Sequence, residues 1–147
     1  MKFGYLNGEP RLNVFLDTMI YLHCSPIEHI DFCELLDAPS VTIVVPRITL
    51  RELDKHKSTH PSSKTRDRAR RTLSYLEEHI RSCQQVRDGI RLEFVPQMPR
   101  IDTSQYGLNP EWNDDLLIAS VLVLQHHFRG TKSGCFASHV LRCDLLA

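Results

Sequence analysis

Leu12-Asn13-Val14-Phe15-Leu16-Asp17-Thr18 is an apolar run that ends in a carboxylate. A run with no polar alternation, Asn13 apart, suits a strand buried on both faces. Its last acid then falls at the strand's carboxyl end, where open α/β sheets collect their ligands. A second run follows the same plan. Val41-Thr42-Ile43-Val44-Val45 is β-branched throughout, Pro46 stops it, and Arg47-Ile48-Thr49-Leu50-Arg51-Glu52-Leu53 reads as the start of a helix. A third segment, Asn113-Asp114-Asp115, opens a helix that is apolar on nearly every side and should be central.

Outward from these stretches the chain alternates strands with helices, which predicts an α/β fold with a mainly parallel sheet. Residues 18–23 and 27–36 read as helical pieces broken near Ser25-Pro26, and residues 47–56 as the helix after the second strand. Residues 66–83 form the clearest amphipathic helix, with Ala69, Leu73, Leu76, Ile80 and Cys83 on one face. Asp88-Gly89 marks a turn before a strand over 90–95, and residues 96–110 form a long loop. Residues 1–10 read as an N-terminal extension and 11–147 as one domain.

Charge is balanced, 18 Lys plus Arg against 18 Asp plus Glu, so the total points to no partner. The distribution is more informative. Lys55, Lys57, Lys64, Arg66, Arg68, Arg70 and Arg71 face one acid, Asp67, over residues 55–71, a band suited to a polyanion. The five cysteines lack the two-residue gap of a zinc knuckle and read as reduced thiols in the cytoplasm. No signal peptide and no apolar run of membrane-spanning length is evident. His56 and His60 stand four apart, but Pro61 and Ser58-Thr59 argue against a helix through both, and so against zinc.

Asp17, Glu52, Asp114 and Asp115 all map to one edge of the predicted sheet. Carboxylates gathered there repel one another unless a cation sits among them. Oxygen donors without His or Cys suit Mg²⁺ or Mn²⁺. Taken singly, each acid has an ordinary explanation as a helix cap, a surface charge or a partner for the helix dipole; their joint placement favours a site. Tyr106 and Trp112 flank the acidic pair and offer ring faces for a base.

These motifs resemble the PIN domain, a family of small metal-dependent nucleases. The likeness rests on Val14-Phe15-Leu16-Asp17-Thr18-Met19, on Val44-Val45-Pro46-Arg47-Ile48-Thr49-Leu50-Arg51-Glu52-Leu53-Asp54, and on Asn113-Asp114-Asp115 with its helix. It implies a three-layer α/β/α fold and endonucleolytic cleavage of single-stranded RNA with Mg²⁺ or Mn²⁺. It also implies Asp17, Glu52 and Asp114 as metal ligands or water-orienting groups, Asp115 as support for a second metal, and Thr18 as a supporting hydroxyl. Family members pair, which raises a homodimer, an antitoxin or another protein as partner. The tail departs from the pattern. A strand ending in an acidic motif is expected there, yet Val140 stands where the acid belongs, Ser138-His139 lies where the motif begins, and Asp144 is out of register. The C-terminal strand region thus reads as incomplete, and a non-catalytic RNA- or protein-binding module is the alternative. A phosphohydrolase of the haloacid-dehalogenase type wants a second Asp two residues after the first, where Met19 stands.

Overall fold

The apolar run at residues 12–16 forms the carboxyl half of β2 (Glu9–Leu16), and β2 organises the sheet. The computed structural model describes residues 4–6, 9–82, 85–129 and 137–141. β1 (Gly4–Leu6) pairs antiparallel with the start of β2, with Leu6 opposite Glu9. Residues 1–10, expected to be an extension only, therefore contribute one strand and the beginning of another.

β3 (Val41–Pro46) and β6 (Ala137–Leu141) both run parallel to β2 along residues 12–16, so they occupy its two sides. β5 (Ile90–Val95) continues the parallel set beside β3, and β4 (Gln85–Arg87) closes that margin antiparallel to β5. The C-terminal strand is thus present. Val140 lies inside it, opposite Phe15, rather than at its end, and the position level with Asp17 falls beyond Leu141. Asp144 lies outside the described residues.

Alternation along the strands makes two cores. Leu12, Val14 and Leu16 of β2, Val41, Ile43 and Val45 of β3, and Ile90 and Leu92 of β5 pack with the helices of one layer. Those helices are α1 (Thr18–His23), α2 (Phe32–Leu35), α3 (Arg47–Thr59) and α4 (Ser63–Ser82). From them Ile20, Tyr21, Phe32, Leu53, Ala69, Leu73 and Leu76 enter the core. On the other face, Phe15 and Val44 meet Leu117 and Val121 of α5 (Asn113–Arg129). Burial on both faces is why the strands show no polar alternation. The result is a three-layer α/β/α arrangement, as the family resemblance implies.

Helix boundaries differ from the sequence reading in several places, and the piece expected over 27–36 is a 3-10 turn at Ile27–His29 followed by α2. α3 runs on through Thr59, whose hydroxyl bonds back to the Lys55 carbonyl at 2.9 Å. His60 caps it with extended backbone and donates its N–H to the His56 carbonyl, so the helix ends between the two histidines, whose ring centroids lie 5.5 Å apart. α4 begins at Ser63 rather than Arg66, with the Ser62 hydroxyl accepting the Thr65 N–H at 3.4 Å. No helix among the described residues is long and apolar enough to cross a membrane.

Candidate active site

β2 and β3 are parallel neighbours, so the helices that follow them start side by side at the same sheet edge. Asp17 is the first residue past β2 and caps α1, with Oδ1 accepting the Met19 N–H at 3.3 Å. A carboxylate has about four lone-pair sites, so this cap fixes the side chain and leaves acceptor capacity. Thr18, next along, is buried, and its hydroxyl donates to Glu52 Oε2. Glu52 reaches this point from a turn and a half into α3. Its other oxygen accepts from Asn113 Nδ2 at 2.8 Å, at the first position of α5.

The Glu52 carboxylate is thus held by α1 from one side and α5 from the other. Asn113, 61 residues away in the chain, belongs to the acidic motif, yet its part in holding Glu52 shows only in the fold. An amide before two acids at a helix start was the only available signal. Asp114 is exposed in the first turn of α5, one residue from that clamp. Asp115 is turned the other way: its Oδ2 accepts the Asn109 N–H at 2.8 Å and ties down the preceding loop.

Of the four acids expected at one spot, Asp115 is engaged by the Asn109 N–H. Among the described residues, no three or more His, Cys, Asp or Glu side chains form a group that could hold a metal ion. The edge carries Asp17 and Glu52, joined through Thr18, with Asp114 linked through Asn113. This donor set still fits Mg²⁺, which keeps several waters and takes one or two carboxylates from a protein. His56 lies one turn beyond Glu52 on α3. Burial and the neighbouring His60 push its pKa below the usual imidazole value, against an opposing pull from Glu52.

The basic band divides by partner. Arg68 is half-buried and spends its guanidinium on α1, donating Nε to the Tyr21 carbonyl at 2.9 Å and Nη2 to the Cys24 carbonyl at 2.8 Å. Arg66 donates to the His60 and Pro61 carbonyls at 2.7 and 3.1 Å. Both arginines, expected at phosphates, brace the backbone through these bonds. Lys57 pairs with Asp54 at 2.7 Å and Arg70 with Asp67 at 2.6 Å, both on the surface. Arg71 reaches the Asp67 carbonyl with Nε at 3.4 Å and stays exposed, as do Lys55 and Lys64.

A family model described as PIN domain matches residues 14–141, most of the chain. A comparison with curated proteins found no match.

Proposed function

The chain belongs to the PIN domain family, and from that premise we propose that it is a metal-dependent endoribonuclease acting on single-stranded RNA. One observation carries the reading: Thr18 and Asn113 hold both oxygens of Glu52 at the sheet edge where Asp17 caps α1. A carboxylate gripped on both sides is pre-set for a task at that edge, since donors already fixed in place need no reorganisation during reaction.

Asp17 and Glu52 would hold Mg²⁺ or Mn²⁺, and Asp114, exposed on the first turn of α5, would add negative charge beside them rather than a third ligand. When bound, such an ion polarises a phosphate oxygen and activates water for attack. Thr18 and Asn113 fix the direction of the Glu52 carboxylate, and the α1 cap fixes Asp17. Lys55, Lys64 and Arg71 supply positive charge that positions the ribose-phosphate backbone without reading sequence. No side chain is assigned a covalent intermediate. Five cysteines without knuckle spacing accord with reduced thiols and a cytoplasmic protein, and a homodimer or an antitoxin-like protein partner accords with the family.

The second reading is a non-catalytic RNA- or protein-binding module. It is favoured by the lack of a three-acid group among the described residues. Cleavage of a labelled single-stranded RNA with Mn²⁺, Mg²⁺ or EDTA separates the two. Metal-dependent cutting that disappears in Asp17→Asn and in Asp114→Asn is the expected outcome. An inert wild type that still binds RNA would replace the nuclease with the binding module.

A further inference from the structure

Trp112 is the most exposed large hydrophobic side chain among the described residues, at 64%. Its backbone is nonetheless tightly mounted. Its N–H bonds the Asn109 carbonyl at 3.1 Å, and its own carbonyl accepts the Leu116 N–H at 3.0 Å. The loop beneath is braced twice more, by Asp115 on the Asn109 N–H and by the Asn109 side chain on the Glu111 N–H at 2.9 Å. A fixed backbone thus presents a ring to solvent.

The ring's place in the chain gives it a use. Trp112 immediately precedes Asn113, which grips Glu52, so about 3.8 Å of chain separates the indole's mount from the clamp. Of the exposed residues nearest it in the chain, Glu111, Asn113 and Asp114 are polar and Pro110 alone is apolar. A protein-docking surface calls for a contiguous apolar patch. One planar ring in polar, anionic surroundings suits a nucleobase face, and the two carboxylates disfavour a phosphate there.

We propose that Trp112 is the stacking platform for a base of the single-stranded RNA at the rim of the acidic site. The assignment rests on the nuclease reading above and adds the group that seats the strand. Stacking on an aromatic ring tolerates any base, so it sets strandedness rather than sequence: a paired base has its faces already covered.

Trp112 is the chain's one tryptophan, so its emission reports on this site alone. The experiment titrates the protein in EDTA with an end-labelled oligouridylate and with an abasic oligonucleotide of equal length. Indole emission and label anisotropy are read together. RNA should quench the emission and the abasic strand should not. Trp112→Ala should weaken RNA binding roughly 5- to 150-fold, the range for one stacked base, with abasic binding unchanged and Trp112→Phe in between. RNA binding by anisotropy without quenching, or equal binding by Trp112→Ala, overturns the platform and leaves the nuclease reading standing. No RNA binding by the wild type overturns both.

Discussion

Replacing Arg68 by Ala separates a structural arginine from a phosphate-binding one. The guanidinium makes two charge-assisted hydrogen bonds to main-chain carbonyls at the carboxyl end of α1, those of Tyr21 and Cys24. Each such bond contributes roughly 1.5–3 kcal/mol, and a cation at a helix C terminus adds a few tenths or more. The side chain is only half-buried, so water recovers part of the loss, and about 2–4 kcal/mol remains as the expected destabilisation. For a chain of this length each kcal/mol corresponds to roughly 3 °C, which gives a fall in Tm of about 6–12 °C. Urea unfolding should show a lower midpoint with an unchanged slope. Arg68→Lys keeps the charge but not the two-pronged geometry and should recover about half of the loss. Arg71→Ala, at an exposed position, should stay within about 0.5 kcal/mol of wild type. The reasoning is refuted if Arg68→Ala melts with the wild type while its RNA affinity drops and its salt dependence becomes shallower by about one ion.

Thr18→Val keeps the shape of a buried side chain and removes the hydroxyl that holds Glu52. Mn²⁺ affinity by calorimetry should fall roughly 10- to 100-fold, the usual cost of losing a partner behind a metal ligand, and Thr18→Ser should restore it. Tyr21 is 1% exposed, and its hydroxyl has no hydrogen-bond partner among the described residues; burial also pushes its pKa upward. Tyr21→Phe should therefore raise stability by about 1 kcal/mol in urea melts, by lifting the desolvation penalty of an unpaired group, and a clear loss would mean that the hydroxyl has a partner. His56 has a folded-state pKa below its unfolded value, so the unfolded chain takes up its proton first as pH falls. Its neutral form favours the fold above the unfolded pKa of about 6.5, and stability declines as pH drops from there through the folded pKa. His56→Gln should flatten that part of the stability profile, and an identical profile in the variant counts against the assignment.

The fold was legible because each decisive stretch carried one signal. Residues 41–45 are β-branched and continuous, as a doubly covered strand must be, and α4 buries Ala69, Leu73 and Leu76 at the spacing read from the sequence. The β1–β2 pairing was missed although Asn7-Gly8, a strong hairpin signal, stands between Leu6 and Glu9. The site was legible only in part. Asp17 and Glu52 declare themselves by following strands, but the destination of an Arg or an Asp side chain is set by what tertiary packing brings near. Arg68 looks like its neighbours in a basic run, and only the packing of α4 on α1 turns it to the Tyr21 carbonyl. Asp115 is likewise indistinguishable from Asp114 until the loop folds back and offers the Asn109 N–H.

The parallel pairing of β2 with β6 also bears on the order of assembly. Leu16, the residue before Asp17, is matched with Leu141, so the two partners are separated by nearly the whole chain. Contacts so distant in sequence carry the largest loop-closure entropy and form slowly. β3 can join β2 much earlier, through a far shorter connection. The strand that presents Asp17 is therefore expected to gain one neighbour early and the other late. The acidic edge would then be completed after the hydrophobic collapse, and a half-built sheet would be compact before that edge is finished.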